Sequence, residues 1–318
     1  MDAIHALSCV DKRYLQHLEV LIISLFENKT CPNAVIYHIL YDNDLNDADK
    51  KPFTDIEKKY HATVVFHDVG RLSQKYEHVV RYGHVSRAGL YRISIPEIFS
   101  SDITKVLYLD CDIVINGDIF DLWNTDISNY AVAAVEDAVS FSRHQALMMP
   151  EKSLYFNSGV LLINLEKWAL LNATDKILKF MIDFPERRAY NDQDGLNAFL
   201  HDSWLRLPPK YNQQSALYYL PCKRLVYSGK EYAEAIRHPV IIHYIGVIKD
   251  TKPWHYIDIH PLKKYYYKYL KLTSCHTYTV RPKNVKEVVI KIYLWLFRYK
   301  MKTGIVFGKI LKLSGGKN

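Results

Sequence analysis

The sequence predicts an α/β protein, with a Rossmann-like, mostly parallel central sheet flanked by helices on both faces. Three observations predict it. Short apolar runs alternate with stretches of helical periodicity through the first 110 residues, the pattern of strand–helix–strand units. Four of those runs end on aspartates, Asp11, Asp42, Asp68 and Asp110, and in such sheets ligands sit beyond the carboxyl ends of the strands. The 318-residue chain is 49% hydrophobic and 24% charged, enough to bury a full core.

In order, residues 4–10 read as the first strand and 14–27 as a helix with Leu15, Leu18, Ile22 and Leu25 on one face. Residues 35–41 and 63–68 read as strands, and Thr54-Asp55-Ile56-Glu57 between them as a capping box opening a short helix. A helix is expected from about Ser86, broken near Pro96, before the strand 106–109. In the second half, 131–135, 160–165 and 240–244 read as strands, 167–184 as one amphipathic helix and 194–201 as another. No internal repeat or low-complexity linker interrupts them, and composition changes only after Pro261.

Charge is uneven. The chain holds 42 Lys/Arg and 34 Asp/Glu, a net +8, but Arg281 to Asn318 contains ten bases and one acid, Glu287. The other 280 residues hold 32 and 33, so the basic character belongs to a tail and gives no nucleic-acid groove in the main domain. Five scattered cysteines without a Cys-x-x-Cys pair argue against a zinc knuckle or disulfide frame and fit a cytoplasmic setting. No secretory signal and no membrane span are expected.

The chemistry centres on Asp110-Cys111-Asp112. Asp-x-Asp occurs four times, at Asp42/Asp44, Asp47/Asp49, Asp110/Asp112 and Asp192/Asp194, but only the third ends a strongly apolar strand. Two hard oxygen donors there suit Mn²⁺ or Mg²⁺, which suits a phosphate-bearing ligand. His243, at the end of an apolar run, is the candidate third ligand. Gly246 allows close backbone approach, and Lys249 or Lys252 can meet phosphate. Asp also favours strand-ending turns, the preferred reading for Asp42 and Asp68. Asn157-Ser158-Gly159 reads either as a sugar-binding amide or as a turn. Asn191-Asp192-Gln193-Asp194-Gly195 reads either as a helix N-cap at Asp192 or Asp194, or as sugar recognition.

Tyr91-Arg92, Leu107-Tyr108-Leu109-Asp110-Cys111-Asp112, the run from Phe156-Asn157-Ser158-Gly159 to Lys167-Trp168, Asn191-Asp192-Gln193-Asp194-Gly195-Leu196-Asn197, and His243-Tyr244-x-Gly246 with Lys252-Pro253-Trp254 follow one another. In that order they resemble the retaining glycosyltransferases of family 8, in particular bacterial galactosyl- and glucosyltransferases of lipopolysaccharide or lipooligosaccharide synthesis. The resemblance spans roughly residues 4–256. It implies a GT-A fold, a UDP-hexose donor, and Mn²⁺ (or Mg²⁺) held by Asp110, Asp112 and His243. It implies that Arg92 and the lysine before Pro253 bind phosphate or donor sugar. Asp137, Asn157, Asp192 and Gln193 would surround the sugar, with Gln193 beneath the anomeric carbon, and Asp11 would meet uracil.

Two departures stand out. Where the family commonly continues Asp-Asn-Tyr, this chain has Asp11-Lys12-Arg13-Tyr14, so Arg13 replaces the ribose contact. Five residues rather than two separate Gly246 from Lys252, which leaves Lys249 and Lys252 as rivals, with Lys252 favoured by Pro253-Trp254.

The expected organisation is a GT-A catalytic domain over 1–262, with a nucleotide-binding half to about 115 and an acceptor half to 262. A basic amphipathic helical tail over 263–318 follows, in which Val285, Val288, Val289, Ile292, Leu296 and Phe297 line one face. Such a helix reads as lying on an anionic membrane, here through 281–318. The reading is thus a transferase acting on a lipid-linked glycan at the inner face of the cell membrane. A glycogenin-like self-glucosylating enzyme and a non-catalytic sugar-binding protein are the alternatives.

Overall fold

A computed structural model describes residues 3–77, 79, 87–99, 101–139, 143–246 and 251–301. Its strands are β1 (Ile4–Cys9), β2 (Val35–Tyr41), β3 (Thr63–Asp68), β4 (Lys105–Leu109), β5 (Ile113–Ile115), β6 (Val132–Glu136), β7 (Phe156–Asn164), β8 (Trp204–Leu207), β9 (Gln213–Gln214) and β10 (Ile241–His243). Seven form one sheet in the order β3-β2-β1-β4-β7-β6-β8, and β5-β10-β9 form a second, smaller one. In the large sheet only β7 runs against its neighbours, β4 and β6; the other pairings are parallel.

Alternation along the central strands divides the core in two. Ala6, Leu107 and Leu109 face one side, together with Leu18, Leu21, Ile22 and Leu25 of helix Leu15–Asn28. Leu7, Val106 and Tyr108 face the other, against Ile177 and Met181 of helix Ala173–Asp183 and Leu196 and Leu200 of helix Asp192–Leu200. A Cβ at Gly195 would lie 2.6 Å from Met181 Cγ, so these two helices cross where no side chain fits. Ser8 ties three strands together: its hydroxyl donates to Leu109 O (2.6 Å) and lies 2.7 Å from the Tyr37 hydroxyl.

Several sequence expectations are corrected. The helix after β2 begins at Asp47, not near Thr54. Asn46 is its N-cap and exchanges a capping box with Asp49, while Pro52 sits inside the helix. The expected helix 167–184 is two, Leu165–Leu170 and Ala173–Asp183, because Asn172 adopts φ 50°, left-handed backbone that ends a helix. Asn157-Ser158-Gly159 is neither loop nor turn but lies within β7. Helix Asp192–Leu200 starts two residues earlier than expected, with Asn191 as its N-cap (φ 49°), so neither Asp192 nor Asp194 caps it.

Helix Lys263–Leu270 sends Tyr266, Tyr269 and Leu270 into the first core, with the Tyr266 hydroxyl 2.7 Å from His17 Nδ1. Helix Val285–Met301 then packs Leu294, with Ile290 and Tyr293, against Tyr219 and Ile259. Its other face leaves Val285, Val289, Ile292, Trp295 and Leu296 exposed, with Val285 at 78%. Phe297 belongs to that helix, but its side chain, like residues 302–318 of the expected membrane segment, lies outside what is described.

Candidate active site

The two sheets meet at the site. β4 delivers Asp110, whose amide donates to Gly159 O of β7 (2.8 Å). The chain turns through Cys111 and Asp112 into β5, and β5 pairs antiparallel with β10, setting His243 opposite Ile113. The Tyr244 amide donates to Asp112 O (2.9 Å), closing that end. Residues more than a hundred apart in sequence thus converge. His243 Nε2 lies 3.1 Å from Asp112 Oδ1 and 3.8 Å from Asp110 Oδ2, and one ligand atom from each of the three lies within 4.8 Å of the others.

These residues fit a divalent ion. Two carboxylates and an imidazole suit a hard or borderline cation. The backbone also leaves room for them: a Cβ at Gly159 would lie 2.2 Å from His243 Cε1 and 2.9 Å from Asp110 Oδ2. Lys252 Nζ pairs with the other oxygen of Asp112. Burial alone would raise the Asp112 carboxyl, but Lys252 and His243 outweigh it and hold it well below the usual carboxylate range.

A buried guanidinium links this end to the rest. Arg92 Nη2 donates to Asp110 Oδ1 (2.8 Å), its Nε lies 3.0 Å from Asp192 Oδ2, and its Nη1 donates to Ser158 O (2.8 Å). The Tyr108 hydroxyl donates to the same Asp110 oxygen (2.6 Å). Asp192 is pushed up to about 6 by burial, with Arg92 opposing and Asp110 adding to the rise.

Gln193, in the first turn of its helix, is held from both ends of its amide. Its Oε1 accepts from Asn157 Nδ2 (3.1 Å) and the Ser158 amide (3.0 Å). Its Nε2 donates to Asp137 Oδ2 (3.3 Å) and lies 3.1 Å from the Tyr155 hydroxyl. Burial raises the Asp137 carboxyl, while hydrogen bonds from the Val139 amide, Asn157 and Gln193 pull it back.

One cleft of about 1060 Å³ holds most of the sequence candidates: Arg92, Asp110, Asp112, Asp137, Asn157, Asp192, Gln193, His243 and Gly246. Asp11 is not among its walls. It stands at the end of β1, where its carboxylate accepts from the Arg13 amide (2.9 Å) and pairs with the Arg13 guanidinium (2.8 Å). Lys252 reaches Asp112 from outside the lining, and Lys249 lies outside the described residues. Asp42 and Asp68 do local work, accepting from the Tyr91 hydroxyl (2.6 Å) and the Gly70 amide (2.9 Å).

Sequence reasoning missed two groups, Tyr155 and Asn212, and read a third, Asp194, only as a helix cap or as part of a sugar-recognition cluster. Tyr155 sits between Gln193 and Asp194. Asp194 itself is wholly buried and engaged by Arg143, the Tyr155 hydroxyl (2.7 Å) and the Tyr190 amide (2.6 Å). Asn212, also wholly buried, donates from Nδ2 to Asn157 Oδ1 (2.8 Å) and sets its Oδ1 2.9 Å from His243 Nδ1. The only signal for Asn212 was a polar run, Asn212-Gln213-Gln214-Ser215, unusual for residues that prove to be buried.

General stress protein A of Bacillus subtilis is 33% identical over 280 residues, covering 87% of this chain and 96% of that protein. A lipopolysaccharide 1,3-galactosyltransferase of Salmonella typhimurium is 28% identical over 271 residues, 81% of this chain and 74% of that one. A galactosyltransferase solved in complex with donor and acceptor sugar analogues superposes with a TM-score of 0.73 at 22% identity, covering 90% of this chain and all of that one, and so has the same GT-A fold. The model of glycosyl transferase family 8 matches residues 5–258, and the chain belongs to that family.

Proposed function

We propose that the protein is a Mn²⁺-dependent retaining hexosyltransferase that moves galactose or glucose from a UDP-sugar to a lipid-linked glycan acceptor. The observation that carries this reading is a single cleft with hard cation ligands at one end and converging amides and carboxylates at the other. The Salmonella typhimurium relative named for lipopolysaccharide galactosyl transfer supports the hexose and the glycan.

Mn²⁺ (or Mg²⁺) held by Asp110, Asp112 and His243 would supply Lewis-acid neutralisation of the diphosphate leaving group. Lys252, already paired with Asp112, is the cation we assign to the same charge in preference to Lys249. Arg92 fixes Asp110 and Asp192 relative to each other by pairing with one oxygen of each. Asp137, Asn157 and Gln193 form the set that would hold the sugar hydroxyls, with Gly246 at the cleft wall and Asp11, braced by Arg13, toward uracil.

Gln193 is an amide and a poor nucleophile. Asp192, the adjacent carboxylate, is buried against Arg92. These two facts favour same-face attack by the acceptor hydroxyl over a glycosyl-enzyme. A glycosyl group trapped on Asp192 and seen by mass spectrometry would overturn that choice.

The exposed apolar face of helix Val285–Met301, with Arg281, Lys283 and Lys286 at its start, favours peripheral attachment to an anionic membrane facing the cytoplasm. Among the described residues no helix is long and apolar enough to cross a membrane. A chain ending at residue 280 should stay in the supernatant with phosphatidylglycerol vesicles while the full chain sediments; co-sedimentation of both refutes the attachment.

The function itself is tested by UDP release across a panel of UDP-sugars, with and without Mn²⁺. Turnover of UDP-galactose or UDP-glucose that requires Mn²⁺ is expected. Folded protein that turns over no UDP-sugar under any metal condition would falsify the reading.

A further inference from the structure

We propose that Asn212 is a positioning residue: it fixes the tautomer and ring orientation of His243 so that Nε2 presents its lone pair to the cation. The inference rests on the reading of Asp110, Asp112 and His243 as a cation site.

A chain of hydrogen bonds reaches His243, and its polarity is set at one end. The Gly159 N–H can only donate, and it donates to Asn157 Oδ1 (3.1 Å). That orientation turns Asn157 Nδ2 toward two acceptors, Gln193 Oε1 (3.1 Å) and Asp137 Oδ2 (3.2 Å). Asn157 Oδ1 also accepts from Asn212 Nδ2 (2.8 Å), so the oxygen of Asn212 faces His243 Nδ1 at 2.9 Å. His243 Nδ1 must then carry a proton. In the neutral imidazole Nε2 is therefore bare, and it faces Asp112 Oδ1 and Asp110 Oδ2 at 3.1 and 3.8 Å. Three electron-pair donors converge there, which is complementary to a cation.

The backbone fixes Asn212 as firmly as its side chain does. It ends the turn Pro209–Asn212 and leads into β9, which pairs with β10 beside His243. Asn212 and Asn157 are both buried, so water has little access to substitute for either amide. The same chain continues to Gln193, coupling the orientation of the metal ligand to that of the residue assigned beneath the sugar.

The test is Mn²⁺ uptake, read from the loss of the aqua-ion EPR signal, together with a thermal melt, for wild type, Asn212→Leu and Asn212→Asp. Asn212→Leu removes the oxygen facing His243 Nδ1 and should weaken Mn²⁺ binding about 10–100-fold. Asn212→Asp keeps that oxygen and should restore most of the loss. Wild-type affinity in Asn212→Leu would overturn the proposal. So would Asn212→Asp binding as weakly as Asn212→Leu while both melt like wild type. If Asn212→Leu does not fold, Asn212→Asp decides alone: a loss of 10-fold or more refutes. Wild type that takes up no Mn²⁺ would instead refute the cation site itself, and this inference with it.

Discussion

Gly159→Ala separates the cation site from the fold more sharply than removing a ligand does. Gly159 lies in β7, paired with β4 and within the second core's sheet, and its amide and carbonyl are both engaged. An added methyl would sit 2.2 Å from His243 Cε1, 2.8 Å from its Nδ1 and 2.9 Å from Asp110 Oδ2. Ordinary carbon contacts need about 3.5 Å or more, so the imidazole must retreat by roughly 1 Å or the strand must shift. The strand is held on both sides, whereas the ring is a side chain, so the ring moves. Overpacking of this kind costs about 1–3 kcal/mol of stability. The displaced ring also leaves Asn212, and the loss in Mn²⁺ affinity should be at least about 10–100-fold, the effect of disturbing a ligand's support. The control is Gly195→Ala, whose methyl would meet Met181 Cγ at 2.6 Å, between two helices. It should cost stability in the same range yet leave Mn²⁺ binding alone. Titration of both variants with Mn²⁺, beside urea unfolding, checks this. Unchanged affinity in Gly159→Ala, or equal loss in both, would refute the reasoning.

Three further outcomes follow from the same geometry. Asp112→Asn should abolish Mn²⁺-dependent UDP release while leaving the circular dichroism spectrum unchanged; loss of the fold would make Asp112 structural. Asp194→Ala leaves the half-buried Arg143 without its carboxylate and the Tyr155 hydroxyl and Tyr190 amide without their acceptor, and should cost about 3–5 kcal/mol in urea unfolding, against near-wild-type stability if these bonds are dispensable. Stability should also fall in mild acid. His260, among the rings of Tyr218, Tyr219 and Tyr244, is lowered to about 3 by burial, and His38, between His5 and His67, to about 3 by burial and then by those two neighbours. Both are depressed below the unfolded value near 6.5, so the unfolded chain takes up protons first as pH falls below it, and stability drops from there towards pH 3. At pH 5 the loss is about 2 kcal/mol for His260, and His38 adds to it with the same sign. Urea midpoints from pH 7 to 5 for wild type and His260→Phe measure it; equal slopes would show that His260 does not contribute.

What could be read from the sequence was what is encoded locally. An apolar run of four residues ending on Asp110 names a buried strand and its rim, because burial and chain direction are properties of that segment alone. The strands 35–41 and 63–68 were read to the residue for the same reason. Errors arose where two local signals competed. At Thr54 a well-formed capping pattern lay inside a helix that Asn46 and Asp49 had already started, and Pro52 disguised the continuity. At 167–184 the periodicity carried across Asn172, whose left-handed backbone is invisible in hydrophobic spacing. Asn157-Ser158-Gly159 looked like a turn because its polarity is that of a loop. The structure buries it in a strand because its polar atoms are consumed by Gln193, Asn212 and Arg92.

Asn212 was out of reach for a different reason. Nothing near it in sequence calls for an amide; the demand comes from His243, 31 residues later, and from Asn157, 55 earlier. A carboxylate in its place would orient the imidazole as well, but it could not donate to Asn157 Oδ1 and would set a second acceptor against that oxygen. A hydroxyl is too short to span both partners. Asparagine is the residue that accepts from one neighbour and donates to the other, at 2.9 and 2.8 Å, without a net charge of its own. The pairing of β5 with β10 brings the ligands together, and the chain of amides decides which face of the histidine they meet. The first can be guessed from apolar runs. The second exists only once the two sheets have closed on each other.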